Sequence, residues 1–273
     1  MLQICYDMCM KFDYVLADPT GNITVLVKTP YTDDTRSDII RESFEKEPAC
    51  EQVGFIVPVS DRIIRLEMMG YEFCGHATLS AAAWHALMHG LKIGQETVVS
   101  VDSSGVTDLL DAIVRRIPDR SGMPSFEGTV KMPVPEVSSF RGYPLVQFSG
   151  ISHLIVPAGD ISSEEAEQMI KRYTNELAVP ALGMMLCSEF NELVSGDPSS
   201  ESVSIRPLVY VPGSDTLIWE HGCATGSTAV GCYRSQTSAA GSHTVIKQPG
   251  GIIHVDVTDG QPYLTATVTL LSV

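Results

Sequence analysis

Along most of the chain, apolar and polar residues change over short, β-branched stretches bounded by turn residues. This is the pattern of strands and not of amphipathic helices. Asn22–Lys28 (NITVLVK), Val53–Val59 (VGFIVPV) and Arg62–Met68 (RIIRLEM) are the clearest cases. The same reading predicts strands at Val98–Asp102, Gly128–Met132, Tyr143–Phe148, Ser152–Val156 and Leu182–Cys187. Further on it predicts Arg206–Val211, Thr216–Trp219, Thr244–Lys247, Ile252–Val257 and Leu264–Leu271. Helices are fewer. Asp34–Lys46 is charged and follows a Thr-Asp-Asp start signal, and Ser162–Glu165 matches a capping box ahead of Ala166–Leu177. Two others, Ala77–Met88 (ATLSAAAWHALM) and Ser227–Ser235 (STAVGCYRS), are small-residue and poor in charge, which predicts buried central helices.

These two helices share a local grammar. One is preceded by Glu72-Phe73-Cys74-Gly75-His76, the other by Glu220-His221-Gly222-Cys223-Ala224-Thr225-Gly226. In each, a Cys follows a strand, small residues come next, and a hydroxyl falls four positions after the Cys (Thr78, Ser227). The repeat points to two similar lobes, each presenting one Cys at a helix start. Pro133-Val134-Pro135-Glu136 interrupts regular pairing and marks the expected boundary. The expected division is 1–135 with Cys74, 136–262 with Cys223, and 263–273 as a final strand that is a candidate to return to the first lobe. Ser195–Ser202 reads as an exposed loop.

Composition narrows the function classes. With 18 Lys and Arg against 33 Asp and Glu, the formal charge is -15, so there is no phosphate-neutralising surface for nucleic acid and little attraction to anionic membranes. No apolar run approaches the roughly 20 residues that span a bilayer, and the acidic start does not read as a signal peptide. Seven cysteines, an odd number, argue for reduced thiols in the cytoplasm and against a disulfide framework. None has zinc-knuckle spacing, so no metal is expected. Cys5, Cys9, Cys50, Cys187 and Cys232 are read as small buried hydrophobes.

Cys74 and Cys223 are read differently. A helix N-terminus offers unpaired amides and the positive end of the macrodipole, so a thiol there is expected to titrate well below about 8.5. Gly75, Gly222 and Gly226 keep the backbone bare for a carboxylate. Two thiols facing one carbon from opposite sides suit inversion of an amino acid at Cα: one removes the proton and the other delivers one. That chemistry demands no organic cofactor.

At these motifs the chain resembles the cofactor-independent amino-acid racemases and epimerases, the group with the diaminopimelate epimerase-like fold. The neighbouring text is closest to its histidine racemase branch, from opine metallophore synthesis. The matching stretches include Gly21–Thr24, Cys50–Ile56, Glu72–Thr78, Gly183–Leu186, Pro207–Pro212, Leu217–Glu220, Gly222–Gly226 and Gln248–Gly251. The resemblance implies an α+β fold of two similar lobes, each a β-sheet wrapped around a central helix, with an amino-acid substrate in the cleft. It implies that Cys74 and Cys223 are the acid/base pair, that Asn22 and Gln52 contact substrate, and that Gly75, His76, Ala224 and Thr225 hold its carboxylate. Glu220 matches an acidic residue beside the second Cys. A homodimer is a candidate assembly. The chain has His76 where many relatives have Asn, and Ala224 where they have Gly. It lacks the Arg with which diaminopimelate enzymes clamp the distal carboxylate, Ser214–Leu217 standing there instead, which disfavours that substrate. A proline- or hydroxyproline-type racemase and a non-catalytic amino-acid-binding relative are the competing readings.

Other candidates carry less. His85 and His89 have the i, i+4 spacing of a zinc pair but no third ligand and are read as packing or surface residues. His153 sits in a strand-like run from which it could reach the cleft. Glu72, two residues before Cys74, is the carboxylate to offer for the acid/base of a phenazine-type isomerase, which shares the two-lobed fold, but the presence of both cysteines speaks against that reading. Trp219 is read as lobe packing, and Pro249-Gly250-Gly251 as a strand turn.

Overall fold

The computed structural model describes residues 11–159, 161–196, 202–237 and 243–273. Cys5, Cys9 and most of the expected 195–202 loop lie outside the described residues. The first half runs β1 (Tyr14–Pro19), β2 (Thr24–Val27), α1 (Asp33–Lys46), β3 (Gln52–Ser60), β4 (Ile63–Met68), α2 (Gly75–Met88), β5 (Glu96–Ser103), β6 (Leu110–Arg120) and β7 (Met123–Lys131). The second half runs β8 (Glu136–Phe140), β9 (Tyr143–Gln147), β10 (Ser152–Pro157), α3 (Ser163–Leu177), β11 (Leu182–Cys187), α4 (Phe190–Ser195) and β12 (Ser202–Val211). It ends with β13 (Thr216–Trp219), α5 (Ala224–Thr237), β14 (His243–Gln248), β15 (Gly251–Thr258) and β16 (Gln261–Ser272). The fold is mixed α+β and mostly sheet. Strands β1, β6 and β8 and the short α4 are additions to the elements expected from the sequence.

The helices differ as their composition requires. α3 buries Ala166, Ile170, Tyr173 and Thr174, one stripe, against β11 and β12. Its expected capping box is formed: Ser162 Oγ accepts from the Glu165 amide at 3.2 Å, and the Glu165 carboxylate accepts from the Ser162 amide at 2.9 Å. α2 instead buries every residue from Gly75 to Ala86, and α5 every residue from Ala224 to Cys232. Small side chains let strands close on a helix from all sides. β1 to β7 and β16 all pack on α2, while β9–β11 and β14–β16 pack on α5.

The same pairing order occurs twice. β1–β2 is antiparallel, β2–β3 parallel across α1, β3–β4 antiparallel, β4–β5 parallel across α2, and β5–β6–β7 antiparallel. β9–β10, β10–β11 across α3, β11–β12, β12–β14 across α5 and β14–β15–β16 repeat it, with β13 inserted beside β12. β16 is shared, pairing with β15, β7 and β1 along its length. Through it β1–β7 close into a ring of eight strands around α2, which leaves that ring without an open edge. Pro133-Val134-Pro135 lies in the connection between β7 and β8. The largest buried cluster includes both α2 and α5, with Cys74 and Cys223 among its members.

Candidate active site

Cys74 is the N-cap of α2, in extended conformation, and its Sγ accepts from the Ala77 amide at 3.4 Å. Cys223 stands directly before α5, and its Sγ accepts from the Gly226 amide at 3.4 Å. The hydroxyl four residues on does the same thing in both places. Thr78 Oγ1 donates to the Cys74 carbonyl at 2.8 Å, and Ser227 Oγ donates to the Cys223 carbonyl at 2.7 Å. The repeat seen in the sequence is therefore a repeated cap.

The two helix starts abut. A Cβ built on Gly75 would lie 2.9 Å from the Cβ of Ala224, so the pair has room for one methyl and not two. Beside this contact is a cavity of about 20 Å³, walled by Gln52, Cys74, His76, Glu220, Cys223, Ala224 and Thr225 from among the expected site residues. That volume holds roughly one water, so an amino acid enters only if the walls part. Glu51, Met69, Glu72, Phe73, Ile151, Val209, Val211, Thr216 and Ile218 complete the wall. Asn22 is not on it: the residue is fully buried, and its Nδ2 donates to the Gly222 carbonyl at 2.7 Å and to Glu51 at 3.0 Å. Gly75 is likewise off the wall, packed against Ala224.

Hydrogen bonds tie the sequence-distant halves together here. The Cys74 thiol donates to Gln52 Oε1 at 2.6 Å, and Gln52 Nε2 donates to Glu220 Oε1 at 2.7 Å. Glu51 accepts from the His221 amide and ring. Gln248 Oε1 accepts from the Cys223 amide at 2.6 Å, while its Nε2 donates to Ser227 Oγ at 3.0 Å. Glu51 and Gln248 were not singled out from the sequence. Both lie in stretches that carry the family resemblance, and that was their one available signal.

The electrostatics correct one expectation. Both thiols were expected to titrate low, and both are pushed up. Burial is the largest cause for each; the negative charge of Glu220 adds to it at both, and that of Glu72 at Cys74. One long amide bond to each sulfur does not offset full desolvation. The same burial raises Glu220 from 4.5 to about 8, reinforced by the charge of Glu51, and leaves its Oε2 without a hydrogen-bond partner. His76 is lowered to about 3 by burial, so its ring is neutral, and neither ring nitrogen has a hydrogen-bond partner.

The remaining candidates fall outside the cavity. His153 is fully buried in β10 with its ring 6.0 Å from that of Phe148, and it does not reach the wall. His85 and His89 stack at 4.2 Å, and no group of three or more metal-ligating side chains occurs among the described residues. Trp219 is a packing residue, its Nε1 donating to Glu167 at 2.9 Å and its ring 4.6 Å from the Arg206 guanidinium. Pro249-Gly250-Gly251 makes the β14–β15 turn. Cys50, Cys187 and Cys232 are buried free thiols away from the cavity.

The architecture is that of epimerase-like proteins. A predicted epimerase from Pseudomonas aeruginosa superposes with a TM-score of 0.65 at 15% identity, covering 96% of this chain and 98% of that one. A phenazine biosynthesis protein of the PhzF family from Bacillus anthracis gives 0.60 at 14% identity, with coverage of 96% and 98%. Sequence similarity is more particular. A histidine racemase of Fusobacterium nucleatum (strain ATCC 23726) is 30% identical over 270 residues, 95% of each chain. Another from Staphylococcus aureus is 26% identical over 249 residues, 87% of this chain and 85% of that one. The family described as histidine racemase CntK N-terminal domain matches residues 11–269, and the chain belongs to it.

Proposed function

We propose that the protein is an isomerase, a histidine racemase that interconverts L- and D-histidine by proton exchange between two cysteines. The observation that carries this reading is that two thiols, each at the first turn of a buried helix, line one cavity. The first-turn amides of α2 and α5 at the cavity, those of His76, Ala224 and Thr225, are a cradle for the α-carboxylate. One cysteine, as thiolate, takes the proton from Cα and becomes a thiol. The other thiol gives its proton to the opposite face and is left as thiolate. For the other enantiomer the roles exchange. Both thiols are protonated in the closed cavity. The α-ammonium group, entering beside Glu220, lowers the cost of the first thiolate by placing a positive charge where burial is otherwise uncompensated. Acid and base both come from the chain, so the reaction is assigned without pyridoxal phosphate.

The rest of the reading is coarser. Two lobes, 1–135 and 136–262, flank the cleft, with 263–273 returning to the first. The repeated pairing order supports that division. A cytoplasmic setting is supported by the free thiols, and no helix among the described residues is long and apolar enough to cross a membrane. A place in opine metallophore synthesis rests on the motif resemblance. Incubation of L-histidine in deuterated water tests the function: D-histidine labelled at Cα is the expected product. Optically pure, unlabelled L-histidine would instead identify a binding protein.

A further inference from the structure

How the substrate's side chain is chosen is legible on the far wall of the cavity, given the racemase reading above. Thr216 and Ile218 of β13 and the following Glu220 all face the cavity, as alternate residues of a strand do. Each step of two residues advances roughly 7 Å, so this face leads about 13 Å from Glu220, beside the cysteines, to Thr216. β12, paired with β13, adds Val209 and Val211, and the turn between β4 and α2 adds Met69, Glu72 and Phe73. Glu72 belongs to the Val211 end: a Cβ built on Gly70 would lie 2.3 Å from Val211 Cγ1 and 2.8 Å from Glu72 Oε2. The region is thus an apolar slot with a carboxylate on its wall.

The three acidic residues of the cavity are not equivalent. Glu51 is engaged by Asn22 and His221, and Glu220 is bonded to Gln52 beside the thiols. Glu72 is 4% exposed and accepts from the Gly70 amide at 2.8 Å. No Lys or Arg lines the cavity; the Arg36 guanidinium donates to the Met68 and Met69 carbonyls, and its charge only partly offsets the burial of Glu72.

We propose that Glu72 is the specificity residue for histidine, its carboxylate accepting a ring N–H of an imidazole that lies against the Val209 and Ile218 wall. An imidazole has two flat apolar faces for that wall and a donor at its edge for the carboxylate. Burial raises the Glu72 carboxyl, and an N–H or imidazolium donor relieves that cost. A distal carboxylate would be repelled, and a proline ring would bring no side-chain donor.

The test compares histidine with β-(2-thienyl)alanine, whose ring has similar size and no N–H, in the unsubstituted protein and in Glu72→Gln and Glu72→Ala. Racemisation is followed by loss of optical rotation. Glu72→Gln is expected to lower kcat/KM for histidine by on the order of 10- to 100-fold, the loss expected when a hydrogen bond to a charged group is weakened. The thienyl substrate should change less than about threefold, collapsing the preference for histidine. Equal losses on both substrates would make Glu72 only a brace for the Gly70 turn and overturn the inference. So would an unchanged preference in both variants. If the unsubstituted protein does not racemise histidine, the functional reading falls and this one falls with it.

Discussion

The starts of α2 and α5 are two versions of one device with different surroundings. Their backbones match: each Cys sulfur accepts one first-turn amide at 3.4 Å, and each Cys carbonyl takes the hydroxyl four residues on. Their neighbours do not. Both feel the Glu220 carboxyl, but Cys74 donates to the Gln52 amide and also feels Glu72, whereas Cys223 faces the Thr225 hydroxyl. A shared local sequence thus reproduces position and cap, while partners from elsewhere in the chain set the charge each sulfur sees. The cysteines are geometric equivalents and electrostatic unequals.

The strongest way to break this comparison is to remove one sulfur at a time. Cys74→Ser and Cys223→Ser should each lose about 10²- to 10⁴-fold in racemisation from either enantiomer, because each cysteine is base in one direction and acid in the other. Polarimetry on both enantiomers checks this, and one fully active variant would end the equivalence. The electrostatic inequality is sharpened through Glu220. Its carboxyl rises from 4.5 to about 8 on folding, so its contribution to stability is fully present below pH 4.5 and is lost as pH climbs through 8. The buried His76 and His153, lowered to about 3, work oppositely: their contribution holds above pH 6.5 and is lost toward pH 3. Denaturant unfolding should therefore show wild-type stability falling between pH 7 and pH 8.5, where the two histidines contribute little change, by on the order of 1 kcal/mol from Glu220. Glu220→Gln should remove most of that fall.

Smaller effects probe the packing and the caps. Gly75→Ala forces two methyls together and should cost about 1–3 kcal/mol. Adding Ala224→Gly to it should recover part of that loss, giving a non-zero coupling in a double-mutant cycle measured by chemical denaturation. Thr78→Val should cost about 0.5–1.5 kcal/mol, since the backbone amide still serves the Cys74 carbonyl, and Ser227→Ala should cost more, because it also takes the acceptor from Gln248 Nε2. Equal losses in the same unfolding assay would show that the Gln248 bond adds nothing to the second cap.

Legibility in the sequence followed the range of the forces involved. Leu182–Cys187 and Thr216–Trp219 matched their strands to the residue, because each is a short apolar run between turns. β6 was missed although Leu110, Ala112 and Val114 point inward, because Arg115, Arg116, Pro118 and Asp119 break up the rest of the run. β1 was missed within a stretch weighed only as a leader, and β8 buries none of its residues fully. Of the site, the cysteines, Gln52 and Glu220 were found through their motifs. The bridging of Glu51 to His221 and of Gln248 to the Cys223 amide has no local signature at separations of 170 and 25 residues.

The amino-acid order alone determined that two charge-poor helices would be buried and that each would begin with a capped cysteine, since small side chains, helix caps and hydroxyl back-bonds act within a few residues. Only the tertiary structure decided that both cysteines share one cavity, that Asn22 stands behind its wall, and that the thiols titrate high. Desolvation depends on everything packed around a group, and strands distant in the sequence supply that packing here.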